Sequence, residues 1–143
     1  MIQRYVYGHP LRTEAVVSDL PILPGDPGCL AVTRSAPALT FSMALEADDL
    51  MFGLGETIRG INKRGHIYRS WNTDEVMHTE DRQSLYGAHN FLVIANGRRV
   101  LGLFLDDPGE VLWDLGATSP DRMEITSLNG DLSLYVKIGR AHV

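Results

Sequence analysis

The chain has 143 residues, a formal net charge of -5 and one cysteine, Cys29, which fits one domain with a real core. A nucleic-acid surface needs a basic face, and no Lys/Arg run is longer than the pair Arg98-Arg99, so we expect no nucleic-acid partner. Apolar runs are far shorter than the roughly 20 residues of a bilayer span, and Met1 to Tyr5 do not resemble a signal peptide. We therefore expect no membrane partner and a cytoplasmic protein, in which a lone cysteine is ordinary.

Alternating apolar and polar residues predict short strands in the first third of the chain. The predicted strands span 2–7, 13–17, 30–34 and 39–45, and we expect the last two to pair with each other. Gly8-His9-Pro10 predicts a turn, and the segment 21–28, rich in proline and glycine, predicts a loop within one domain.

Two Asn-Gly pairs predict hairpins farther along, because this pair favours a tight turn with two positive φ angles. Asn96-Gly97 is expected to join 91–94 to 100–105, and Asn129-Gly130 to join 123–128 to 131–136. No helical periodicity extends beyond two turns. Many short strands with turns between them predict an all-β fold, an antiparallel β-sandwich with few or no helices.

Residues 53–90 mix glycines, aromatic residues and carboxylates without regular periodicity, which indicates loops that hold something. Gly53-Leu54-Gly55-Glu56 permits a sharp redirection of the chain after a strand. Lys63 and Arg64 could bind an anionic or polyol ligand, but we favour a solvated turn. Acidic residues close in sequence, namely Asp48, Asp49 and Glu56, are expected to neutralise the two cations.

The segment Trp71-Asn72-Thr73-Asp74 is the strongest candidate site. An aromatic face beside amide, hydroxyl and carboxylate groups can hold a sugar, although an aspartate in a turn often caps its own backbone. The spacing of three histidines, His66, His78 and His89, matches no compact zinc motif, so we expect no metal and no cofactor. No nucleophile sits with a suitable base, and we assign no catalytic residue.

Five motifs in order resemble the N-terminal β-sandwich of glycoside hydrolase family 31, the α-glucosidase family. They are Phe52-Gly53-Leu54-Gly55-Glu56, Asn62-Lys63-Arg64-Gly65, Trp71-Asn72-Thr73-Asp74, Ser84-Leu85-Tyr86-Gly87-Ala88-His89-Asn90-Phe91 and Gly102-Leu103-Phe104-Leu105-Asp106-Asp107-Pro108. The resemblance implies a galactose-mutarotase-like sandwich over 1–137, followed by a (β/α)₈ barrel. It also implies retaining hydrolysis of α-glucoside oligosaccharides by two aspartates of that barrel, through a covalent glycosyl-enzyme.

Both catalytic aspartates of that pattern lie beyond Lys137, so we expect the fragment alone to be inactive. Residues 138–143 resemble the translation of a sequencing adapter, and we expect them to be a non-native tail. The resemblance implies that Asp74 binds sugar hydroxyls near the +1 subsite, with Trp71 as a second substrate-binding candidate. The residues after Asp74, Glu75-Val76-Met77, depart from the pattern of some relatives.

Two alternatives to the hydrolase domain stay open. A stand-alone carbohydrate-binding module should bind glucosides by itself, whereas a piece of a hydrolase should expose an apolar patch where its barrel is missing. A mutarotase-like isomerase is the other alternative, with the three histidines as possible acid or base groups.

Overall fold

The computed structural model describes residues 1–11 and 20–139, and these form ten β-strands and no helix. The predicted strand 13–17 and residues 140–143 lie outside the described residues. Among the described residues, no helix long and apolar enough to cross a membrane is present. The strands are β1 (Ile2–Tyr7), β2 (Ala31–Ser35), β3 (Ala38–Ala44), β4 (Leu50–Gly55), β5 (Ile67–Ser70), β6 (Ala88–Ala95), β7 (Val100–Asp106), β8 (Val111–Leu115), β9 (Arg122–Ser127) and β10 (Leu132–Gly139).

The ten strands form two five-stranded sheets. Sheet A has the order β1-β10-β7-β6-β4, and sheet B has the order β2-β3-β9-β8-β5. Every neighbouring pair of strands is antiparallel. The predicted antiparallel β-sandwich with few or no helices is confirmed.

One hydrophobic core lies between the sheets, because each strand turns alternate side chains inward. Leu92 and Leu103 of sheet A and Phe41 and Trp113 of sheet B are fully buried members of this core. Full burial of such a side chain stabilises the fold by about 1.5 to 3 kcal/mol. The Trp113 indole N–H donates to Ser70 Oγ at 2.9 Å, so the buried polar group of this large ring is satisfied.

The first predicted hairpin is confirmed, but its turn differs from the prediction. β6 and β7 pair in register up to Ala95 and Val100. Neither Asn96 nor Gly97 has positive φ; instead the Asn96 side-chain oxygen accepts the amide of Arg98 at 2.8 Å. The asparagine closes the turn through its side chain, which is the other reason this residue favours turns.

The second predicted hairpin is wrong. β9 pairs with β3 and β8 in sheet B, whereas β10 pairs with β1 and β7 in sheet A. Asn129-Gly130 therefore carries the chain from one sheet to the other, with Gly130 at a φ of 72°. The alternation of apolar residues tells which face is buried, but it does not tell which neighbour a strand pairs with.

Candidate functional site

A 17-residue connection joins β5 of sheet B to β6 of sheet A; we call it the 71–87 loop. Its far end is fixed by the glycine-rich end of β4, where Gly53, Leu54 and Gly55 all have positive φ and the pairing with β6 shifts register. Just after that bulge, the Glu56 amide donates to the Gly87 carbonyl at 2.8 Å, and the Gly87 amide donates to Glu56 Oε2 at 3.0 Å. The predicted redirection of the chain at these glycines is confirmed.

Lys63 and Arg64 donate hydrogen bonds to backbone carbonyls and do not form the predicted solvated turn. Lys63 is buried; its ammonium donates to the Gly60 carbonyl at 2.9 Å and to the Thr57 hydroxyl. Burial lowers the pKa of Lys63. Arg64 donates to backbone carbonyls of two loops. The carboxylates expected to neutralise these cations bind other groups instead, and they are Asp48, Asp49 and Glu56.

Trp71 begins the 71–87 loop and is half exposed, at 50%. The Arg69 guanidinium lies 5.5 Å from the centre of the indole ring and is also paired with Glu110, so it holds the ring by a cation–π contact. Trp71 lines a cleft of about 390 Å³ together with Ser70, Asn72, Ala88, Asn90, Asp107, Pro108 and Gly109. This volume suits a small ligand, and the lining combines an aromatic ring with amide and hydroxyl groups.

Asp74 lies three residues farther along the same loop, and its side chain is exposed. It is not among the residues that line the Trp71 cleft. The Asp74 carboxylate lies beside the Tyr86 hydroxyl; partial burial raises the pKa of Tyr86, and the negative charge of Asp74 raises it further. The structure thus places Trp71 and Asp74 on one loop, with Asp74 next to Tyr86 and outside the cleft.

Tyr86 is a site residue that the sequence analysis did not single out. Its hydroxyl donates to the Glu75 carbonyl, and its ring packs edge-to-face against His78 with centroids 5.8 Å apart. The signal was its place in Ser84-Leu85-Tyr86-Gly87, where a large aromatic residue precedes a glycine in a mostly polar loop.

Metal-ligating side chains do not converge in the part of the chain that the structure describes. No group of three or more His, Cys, Asp or Glu residues could hold an ion there. Two of the three histidines contact tyrosine rings, His66 at Tyr68 and His78 at Tyr86.

The outer face of sheet A is apolar. Phe91, Phe104, Tyr135 and Arg4 stand directly opposite one another on four neighbouring strands. Phe91 is 46% exposed, whereas Tyr135 is buried. A shallow cleft of about 300 Å³ lies on this face, lined by Ile2, Leu20, Phe91, Gly102, Phe104, Tyr135 and Lys137.

The outer face of sheet B is polar, in contrast. Its corresponding row contains Thr40 and Thr126, whose hydroxyls are 3.0 Å apart, and Arg69. The apolar outer face of sheet A, unlike the polar face of sheet B, is therefore a surface of the kind that another element covers.

Two five-stranded antiparallel sheets, with a candidate site on the long connection between them, define a β-sandwich domain. The chain belongs to the family described as the glycosyl hydrolase 31 N-terminal galactose mutarotase-like domain, which matches residues 25–114. The resemblance seen in the sequence is confirmed.

Two curated relatives are glycosidases. The chain is 28% identical over 111 residues to "Alpha-glucosidase 2" of Bacillus thermoamyloliquefaciens, covering 77% of this chain and 14% of that protein. It is 27% identical over 97 residues to "Alpha-xylosidase XylQ" of Lactiplantibacillus pentosus, covering 68% of this chain and 12% of that protein. The chain therefore spans about one seventh of the length of the curated relatives that it matches.

Solved structures share the fold. A GH31 dextranase of Flavobacterium johnsoniae, solved in complex with isomaltotriose, matches with a TM-score of 0.68 and 24% identity, over 76% of this chain and 13% of that one. A cycloalternan-degrading enzyme of Trueperella pyogenes, in complex with cycloalternan, matches with a TM-score of 0.63 and 19% identity, over 72% of this chain and 15% of that one.

Proposed function

We propose that this chain is the N-terminal accessory domain of a retaining α-glucosidase and that the 71–87 loop brings Asp74 to the substrate pocket of the whole enzyme. The family match over residues 25–114, in a chain that spans 14% of an α-glucosidase relative, carries the proposal. The fragment alone is not catalytic. A (β/α)₈ barrel beyond Lys137 supplies the aspartate nucleophile and the aspartate acid/base, which a retaining enzyme holds roughly 5 to 5.5 Å apart.

Asp74 suits a sugar ligand because its carboxylate is exposed, while hydrogen bonds such as that from the Thr73 amide to the Leu85 carbonyl hold the loop around it. An ionised carboxylate accepts hydrogen bonds from sugar hydroxyls, and each such charged bond contributes roughly 1.5 to 3 kcal/mol. Trp71, half exposed at the start of the same loop, offers a flat apolar face to the C–H side of a sugar ring.

The apolar outer face of sheet A supports the accessory role. A hydrolase piece separated from its barrel should expose an apolar face, and on sheet A exposed Ile2 and Phe91 and half-buried Phe104 line such a surface. We assign its cover to the remaining polypeptide of the same protein, because the matched relatives are about seven times longer than the region they share with this chain.

The test is made in the longer enzyme, encoded by a clone that extends past Val143. Asp74→Ala should lower kcat/KM for maltose or isomaltose by about 10- to 100-fold, the loss expected for one charged hydrogen bond. Thermal stability should stay within about 2 °C of the parent, because an exposed side chain contributes little to folding.

Glu80→Ala is the matched control, since Glu80 is an exposed carboxylate of the same loop. An unaltered kcat/KM in Asp74→Ala, or an equal loss in Glu80→Ala, contradicts the role of Asp74. A stop codon soon after Lys137 in the natural gene overturns the accessory-domain assignment itself.

The Trp71 cleft favours one second candidate, a stand-alone carbohydrate-binding module. Titration of maltose and isomaltose into the 143-residue chain separates the two functions. Saturable binding by this chain alone, abolished in Trp71→Ala, supports the module; an accessory domain should show none, because its pocket needs the barrel.

A further inference from the structure

The Glu75 side chain makes two contacts within the 71–87 loop. Its Oε1 accepts the Met77 amide at 3.0 Å, and its Oε2 lies 3.3 Å from the Arg82 guanidinium. The Glu75 side chain is only 16% exposed, although Arg82 is 40% exposed, so the Glu75 carboxylate lies against the loop and does not extend into solvent.

The backbone carbonyl of Glu75 is also occupied. It accepts the hydroxyl of Tyr86 and faces His78 Nε2 at 2.8 Å. The Glu75 side chain thus contacts Met77 and Arg82, and its backbone carbonyl contacts His78 and Tyr86, so this position joins four other residues of the loop. Such a residue orders the backbone on which it sits, because each contact removes freedom from a different part of the chain.

Thr73 anchors the other side of Asp74. Its amide donates to the Leu85 carbonyl at 2.8 Å, and its hydroxyl lies 3.1 Å from Ser84 Oγ. Asp74 is therefore held between two anchored neighbours while its own carboxylate is exposed. The side chain of Val76, on the other side of Glu75, is 86% exposed and so packs little against the loop.

We propose that Glu75 is the positioning residue of Asp74; this inference rests on the proposed role of Asp74 as a substrate contact. Glu75 fixes the backbone from which the Asp74 carboxylate projects, so the carboxylate is ordered before the sugar arrives. A preordered acceptor binds more tightly, because the entropy of ordering the loop is lost on folding and not on binding. This role gives a physical reason for Glu75, which stands where the sequence departs from the pattern of some relatives.

The first test uses the 143-residue chain and needs no substrate. In Glu75→Ala, amide hydrogen exchange should speed up by about tenfold or more at Thr73 and Thr79, whose amides donate to the Leu85 and Met77 carbonyls, as local opening of the loop becomes easier. Glu75→Gln keeps an acceptor for the Met77 amide and should give an intermediate rate. Glu80→Ala, the matched exposed carboxylate, should leave these rates unchanged, and equal rates in Glu75→Ala and the parent overturn the proposal.

The second test is a double-mutant cycle in the longer enzyme. Glu75→Ala should lower kcat/KM by about three- to tenfold, and adding it to Asp74→Asn should cause no further loss, because two residues that act as a unit are not additive. A full multiplicative loss in the double variant overturns the proposal, since Glu75 would then act independently of Asp74.

The two tests separate this inference from the proposed function. If Asp74→Asn alone leaves kcat/KM unchanged, the proposed substrate contact fails, and the exchange rates still decide whether Glu75 orders the loop. If Asp74→Asn lowers kcat/KM while Glu75→Ala has no effect on it, the substrate contact stands and the positioning role fails.

Discussion

Asp49 shows how this fold uses a buried charge. It is 2% exposed; its carboxylate pairs with Arg99 at 2.7 Å and accepts Asn96 Nδ2 at 2.9 Å and the Glu46 amide at 2.8 Å. Burial alone would raise the pKa of Asp49, but the Glu46 amide, Arg99 and Asn96 together outweigh burial and hold that pKa below its ordinary value. The carboxylate joins the β3–β4 connection to the β6–β7 turn.

Removing this carboxylate should destabilise the domain strongly. We expect Asp49→Ala to lower the free energy of unfolding at pH 7 by about 3 kcal/mol, because the Arg99 guanidinium and two other donors lose a partly buried partner. Because the pKa of Asp49 is lower in the folded state than in the unfolded state, its carboxylate stabilises the fold at pH values above the unfolded pKa of about 3.9. This stabilisation is lost as the pH falls through the pKa of Asp49 in the folded state. The difference between variant and parent should therefore shrink below about pH 4.

Urea unfolding at pH 7 and pH 3 measures this difference. The control is Asp48→Ala, which removes an exposed carboxylate paired with Arg98 and should cost about 1 kcal/mol or less. Equal losses in the two variants at pH 7 contradict the role assigned to Asp49.

At the scale of the elements, periodicity predicted most strands but not their partners. Residues 39–45 alternate clearly, and β3 lies there; 91–94 and 100–105 form the predicted hairpin. The same alternation in β9 and β10 led to a wrong hairpin, because strands of opposite sheets turn apolar side chains to the same core. Which strands become neighbours depends on long-range packing that a local pattern does not contain.

The candidate site was predictable in part. Trp71 and Asp74 were proposed from the grouping of aromatic and polar residues and from the family resemblance, and the structure places both on the 71–87 loop. Tyr86 and Glu75 were missed, because their importance lies in contacts across eleven residues of irregular backbone. Lys63 was expected in a solvated turn, and nothing in its sequence neighbourhood indicates that backbone carbonyls surround its ammonium.

The bulge at the end of β4 depends on glycine. Gly53 has a φ of 125°, and a Cβ there would lie 2.2 Å from the Phe91 carbonyl oxygen of the neighbouring strand. Gly53→Ala should therefore lower the free energy of unfolding by about 2 to 3 kcal/mol, through strain in the backbone and displacement of β6. Gly97→Ala is the control, because nothing lies within 4 Å of its added Cβ. Urea unfolding of the two variants checks the difference, and a neutral Gly53→Ala contradicts it.

For the whole molecule, the two outer faces predict different surface behaviour. The outer face of sheet A should bind the dye ANS in the folded 143-residue chain, because exposed Phe91 and Ile2 line a shallow apolar cleft there. Phe91→Ser should reduce the ANS fluorescence by about half and change thermal stability little, since Phe91 is 46% exposed. Leu112→Ser, on the polar outer face of sheet B, should leave the dye signal unchanged. An equal signal in the parent and Phe91→Ser contradicts the assignment of the patch.

The strand order also decides when this domain can fold during its synthesis. β9 is the central strand of sheet B, and β10 bridges β1 to β7 in sheet A, with Ile2 opposite Lys137. Both strands are translated last among the ten. β1 must therefore wait on the ribosome until almost the whole domain has emerged, and β3 must wait for β9. Proteins dominated by such distant pairings fold slowly. The apolar strands of the nascent chain therefore stay exposed, and can bind chaperones or aggregate, until residue 139 has left the exit tunnel.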